Sequence, residues 1–144
     1  MSTHLIKLAV GIKDLPHFAQ RQQAHYVEYK GQLAMPVWTR RKPREDEALL
    51  NGGSLYWVIK NNILCRQTIL GIEQEEDDEG NTYCLIFLHP DMMMTVPIAR
   101  RPFQGWRYLK GSDVPDDRGL YIAGETEDEL PAEMENDLRE AGLL

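Results

Sequence analysis

A chain of 144 residues, 42% of them apolar and 27% charged, fits a single globular domain, and its two cysteines, Cys65 and Cys84, cannot build a disulfide framework. Nothing approaches the roughly 18 consecutive apolar residues of a membrane helix, and no basic stretch with an apolar run and cleavage site opens the chain, so a cytoplasmic protein is expected. The formal charge of −7, taken as one number, argues against a nucleic-acid ligand.

In chain order, residues 4–10 alternate as a strand, with His4, Ile6, Leu8 and Val10 on one face. Asp14 is placed to cap a helix that tolerates Pro16 in its first turn. Leu15, Phe18, Ala19, Gln22, Tyr26 and Tyr29 follow at helical spacing, with Gly31 as the stop. An extended piece, 35–41, leads to a short second helix opened by Pro43. Its Leu49 and Leu50 are expected to face inward, and Asn51-Gly52-Gly53 ends it. From Ser54 the pattern is β. Residues 55–59 and 63–72 flank the turn residues Asn61-Asn62 as a hairpin, and 83–88, apolar on both faces, suits a central strand. The acidic run 73–79 between them reads as a solvated hairpin tip. Residues 92–96 fit a strand or a short helix equally well, and 106–109 fit a last strand. Beyond Gly111 the composition turns acidic. Residues 125–144 have helix-forming content with a capping box from Thr126 to Glu129, and a loosely docked tail is expected.

The order gives an α+β fold: a small curved antiparallel sheet or open β-barrel flanked by helices over residues 1–112, then an acidic C-terminal extension, 113–144. No dinucleotide or phosphate-loop glycine pattern is present.

Residues that carry chemistry are few. The histidines His4, His17, His25 and His89 have no metal-ligand spacing, so neither metal nor cofactor is expected. The basic and aromatic residues say more. Trp38 precedes Arg40-Arg41-Lys42-Pro43-Arg44, and Arg100-Arg101-Pro102-Phe103-Gln104-Gly105-Trp106-Arg107-Tyr108 sets three arginines among three aromatics. Arginine forks bind phosphate and aromatic faces stack on unpaired bases, so Trp38, Arg40, Arg41, Arg66, Arg100, Arg101, Trp106 and Arg107 are the candidate ligand-binding residues. The competing reading makes Phe103, Trp106 and Tyr108 core anchors and pairs the arginines with the acidic segments.

The segments His4-Leu5-Ile6-Lys7-Leu8, Gly52-Gly53-Ser54-Leu55-Tyr56-Trp57-Val58-Ile59-Lys60, Arg66-Gln67 and Arg100-Arg101-Pro102-Phe103-Gln104-Gly105-Trp106-Arg107-Tyr108-Leu109 resemble a bacterial domain-of-unknown-function family found in alphaproteobacteria. The likeness covers about residues 4–110 and brings no activity with it. Thr39-Arg40-Arg41, a short helix, Gly52-Gly53 and a hairpin also resemble, in order, the ASCH and other PUA-like domains, small barrels that bind RNA or modified nucleosides. Some ASCH proteins are amidohydrolases with a lysine three residues before a threonine and a glutamate on a later strand. Here Thr39 and Glu73 match those places, and Pro36 stands where the lysine would be.

Three functions follow as expectations: a PUA-like module binding RNA or a modified nucleotide; a small hydrolase or transferase on a nucleoside-like metabolite, drawing on Thr39, Glu73, Cys65 and His89; and a protein-interaction adaptor. The charge permits the first once it is divided. Residues 1–72 carry +5, 73–79 carry −6, 80–112 carry +3 and 113–144 carry −9, so the body outside the acidic segments is +8.

Overall fold

The computed structural model describes residues 2–122. In chain order its elements are β1 (Thr3–Leu8), α1 (Leu15–Gln23), β2 (Val27–Tyr29), β3 (Gln32–Thr39), α2 (Asp46–Leu50), β4 (Ser54–Ile59), β5 (Asn62–Glu76), β6 (Thr82–Leu88), β7 (Met93–Ala99), β8 (Trp106–Lys110) and β9 (Asp117–Leu120). Strand dominates, and among the described residues the two α-helices are short, with one 3-10 turn at Gly111–Asp113. The strands form a sheet of order β2-β3-β6-β5-β4-β1-β8. β5, at 15 residues, is the spine: its first half pairs with β4 and β7, its second half with β6, and β9 pairs with β7. The sheet is mixed and open rather than purely antiparallel, because β1 and β4 run parallel. The physical reason lies in the connection. A helix, a hairpin and a second helix separate those strands, and a long crossover permits a parallel pairing that a tight turn does not.

Local chemistry accounts for most boundaries. Asp14 Oδ1 accepts from the His17 amide at 2.9 Å and caps α1, which holds Pro16 in its first turn. The helix ends at Gln23, well before the expected Gly31. Tyr26 lies beyond it and Tyr29 belongs to β2, and Lys30 and Gly31, at φ 48° and 83°, make the two-residue turn into β3. Tyr29 stacks on Phe87 with ring centroids 4.0 Å apart and lies over Gly71, where a Cβ would collide with its ring. The helical spacing of the tyrosines is coincidental, since a stacked tyrosine serves a strand equally well. In α2, Leu49 is fully buried while Leu50, expected inside, is exposed. Gly53 is where the backbones close up: a Cβ there would stand 2.5 Å from the carbonyl oxygens of both Leu49 and Thr3, so α2 docks on β1 only through glycine.

The β4–β5 turn is Lys60-Asn61, both at positive φ, one residue earlier than expected. β7 settles residues 93–99 as strand. Half of the acidic run is strand too. Glu73, Glu75 and Glu76 pair within β5–β6, and only residues 77–81 form the tip, where Asp77 Oδ1 accepts from the amides of Glu79 and Asn81, both at 2.9 Å. The sheet also continues past residue 112, through β9. The capping box and helical content expected over 125–144 lie outside the described residues.

Both halves of the curled sheet turn side chains into one core. Leu5, Leu55, Trp57 and Trp106 come from one half and Val37, Ile72, Ile86 and Leu88 from the other, and α1 contributes Leu15 and Phe18. Phe18 meets the Trp57 ring edge-on at 4.9 Å. Beneath them Gln22 and Gln67, fully buried, exchange two side-chain hydrogen bonds of 2.9 Å. Gln67 also accepts from Trp57 Nε1 and donates to the carbonyls of His89 and Pro90. A buried amide pair in which each side-chain nitrogen and oxygen has a hydrogen-bond partner fixes where α1 sits on the sheet. A smaller cluster, Ile6, Tyr56, Val58, Ile63 and Leu109, covers the reverse face of β1 and β4 with Phe103 and Val114.

Candidate functional site

The segment that follows β3 meets the edge strand β8. Trp106 Nε1 donates to the Arg41 carbonyl at 2.8 Å, the Arg41 guanidinium lies over the Trp106 ring at 4.1 Å, and its Nη2 donates to the Trp106 carbonyl at 3.4 Å. One step along β8, the Tyr108 hydroxyl accepts from the amides of Arg44 and Glu45 at 2.9 and 3.2 Å. Side chains thus bridge a seam that has no strand ladder among the described residues.

Above this seam is a cleft of about 490 Å³ lined by Lys7, Trp38, Thr39, Arg40, Arg41, Gln104, Gly105 and Trp106. Its lining has three cations and no carboxylate. β3 supplies the platform: past Ala34 its outer edge is unpaired, and strand alternation turns Trp38 outward, 54% exposed. Trp38 stacks on Tyr83 across the β3–β6 pair at 6.1 Å, and the Arg40 guanidinium lies 5.7 Å from its ring. Lys7 enters from β1, and burial holds its ammonium pKa below the usual lysine value. Nothing in the basic and aromatic clusters singled out Lys7. Its signal was its place on an alternating strand opposite Trp106, a register that only the sheet supplies.

The remaining candidates go elsewhere. Directly opposed residues share a sheet face, and the register sets Lys7 against Trp106 and Ile6 against Arg107, so Trp106 and Arg107 point to opposite sides of β8. On the Arg107 side a second cleft, about 460 Å³, is lined by Ala99, Arg100, Arg101, Pro102, Phe103 and Arg107, and the Arg107 guanidinium stacks on Phe103 at 4.7 Å. Trp106 is 4% exposed and serves core and seam, with the Arg41 guanidinium over its ring and Tyr108 edge-on at 4.9 Å. It is therefore no open stacking face. Arg66 is committed as well. It holds both oxygens of Asp117 at 2.8 and 2.7 Å and donates to Ser54 Oγ at 2.9 Å, which pins β9. Hydrogen bonding to Arg66 lowers the Asp117 pKa below the usual carboxylate value.

The four groups considered for hydrolysis do not converge. Thr39 Oγ1 donates to the Arg41 carbonyl, and Glu73 accepts from the Tyr29 hydroxyl at 2.6 Å. Cys65 is buried with its thiol pKa pushed up by desolvation, and His89 Nδ1 accepts from the Asp91 amide. No nucleophile touches a base among them. Among the described residues no three His, Cys, Asp or Glu gather to hold a metal ion, and no helix is long and apolar enough to cross a membrane.

No curated protein and no solved structure matches the chain. A family described as a protein of unknown function, DUF1489, matches residues 5–144, so the family likeness extends through the acidic C-terminal segment and does not end near residue 110. The chain belongs to the DUF1489 family.

Proposed function

We propose that the protein is a binding module for RNA or a modified nucleotide and that the Trp38 cleft receives the base and its phosphate. The carrying observation is the exposed Trp38 ring, flanked by Arg40 and opening onto Lys7 and Arg41 with no carboxylate in the lining. A base stacks on an exposed indole, and the adjoining guanidinium and ammonium groups take its phosphate. The resemblance to PUA-like domains supports the same reading, as does a curved open sheet with a short helix ahead of Gly52-Gly53. A cytoplasmic site of action goes with such a ligand.

Trp57 and Trp106 are buried, so quenching of tryptophan emission by added 5′-AMP or oligoadenylate reports mainly on Trp38. Trp38→Ala is expected to remove the quench and weaken binding roughly ten-fold or more, from a stacking contribution of about 1–3 kcal/mol per base. Arg40→Ala is expected to weaken binding and reduce the salt slope by about 0.7 on single strands. Equal affinity in the Trp38→Ala protein excludes this cleft as the base site.

A further inference from the structure

We infer that the ligand is a single-stranded nucleic acid several nucleotides long, which bends around the β8 edge so that both clefts hold it at once. The inference rests on the proposed reading of the Trp38 cleft and adds its substrate class. Either cleft, at about 490 or 460 Å³, is the size of a site for one small ligand. A mononucleotide fills the first and leaves the second unexplained.

The second cleft is nevertheless built of the same chemistry. Arg100 and Arg101 are exposed and form no ion pair among the described residues, and Arg107 lies on the ring of Phe103. From Ala99 to Lys110 the chain holds four basic residues and no acidic one. The loop between the clefts is also held in place. The Arg100 amide donates to the Asn61 carbonyl at 2.7 Å at one end, Trp106 is locked into the seam at the other, and Gly105 turns the chain at φ 71°. Three arginines carried by this anchored loop and by β8, on the far side of an edge strand, continue a phosphate path that begins at Arg40 and Lys7.

Because Trp106 and Arg107 face opposite ways, that path changes sheet face as it crosses β8. A single strand can follow such a turn, whereas a duplex is too stiff and wide to do so over one strand's width.

The test compares 5′-AMP with oligoadenylates of four, eight and twelve nucleotides and with a twelve-base-pair RNA duplex, using the full chain and its Arg100→Ala/Arg101→Ala variant. Affinity for the wild type is expected to rise at least ten-fold from 5′-AMP to the octamer, and the double variant is expected to lose that gain while binding 5′-AMP as the wild type does. Both arginines are exposed, and an unchanged unfolding curve verifies the variant's fold. Three results overturn the inference: equal affinity for 5′-AMP and the octamer, a double variant as length-dependent as the wild type, or a duplex bound as tightly as the single strand. Binding of 5′-AMP without a length gain overturns this inference and leaves the Trp38 reading standing. Failure of 5′-AMP and every oligomer to bind overturns both.

Discussion

His4 shows how one side chain couples the fold to pH. Its Nδ1 accepts from the Ser54 amide at 3.0 Å, and its ring packs edge-on against Tyr56 at 5.3 Å. That bond needs the neutral imidazole. Burial lowers its pKa below the ordinary 6.5, Arg66 lowers it further, and Asp117 acts weakly in the opposite direction. The unfolded chain therefore binds a proton at pH values where the folded chain does not. Stability is full above about pH 6.5 and falls as pH drops toward the lowered folded value. Urea midpoints at pH 7.5 and 5.5 should show this loss in the wild type, and His4→Asn, which keeps an acceptor and cannot titrate, should flatten it. A wild-type midpoint constant across that window removes His4 from the account. The sequence put His4 on a strand, but its hydrogen bond to a residue fifty positions away is a product of parallel pairing.

At the level of elements, β9 is the addition that local signals missed. Residues 113–122 read as acidic loop because Pro, Gly and three aspartates mask a four-residue strand. What makes the strand is a partner. The Val96 amide donates to Asp116, the Tyr121 amide donates to Met92, and Arg66 grips Asp117 with both prongs. Asp117→Asn keeps the shape and removes the charge, so it should cost about 1 kcal/mol and speed hydrogen exchange in β9 and β7 ahead of the rest of the sheet. Exchange that stays uniform would show that β9 is held by its ladder alone. Signals that are strong locally were legible: the Asp14 cap, the glycines after α2, and the hairpins built on β-branched runs. The length of β5 was not, because glutamates that suit a solvated tip suit a solvent-facing strand equally well.

For the whole molecule, the side-chain seam between β8 and residues 41–45 matters most, since the Trp38 cleft lies above it. The seam has no ladder among the described residues and relies on Arg41, Trp106 and Tyr108. Trp106→Phe retains a ring under the Arg41 guanidinium and deletes the donor to the Arg41 carbonyl. It should lower the unfolding free energy by about 1 kcal/mol with an unchanged denaturant slope. An unaltered midpoint would show that core packing alone holds β8 against residues 41–45. Charge is organised at the same scale. Residues 1–122 carry equal numbers of acidic and basic groups, and the net −7 belongs to residues 123–144. The sequence by itself determined the first strand, the Asp14-capped start of α1, the β4–β5 hairpin and the strands at β6 and β8, where the acidic and basic groups concentrate, and that Trp38 and the arginines are candidates, because capping, alternation and charge are local properties. Only the tertiary structure decided that Arg66 serves β9, that Trp106 is buried, that Lys7 joins Trp38, and that the two arginine clusters face opposite ways. Those facts depend on strand register, and register pairs residues that the chain keeps far apart.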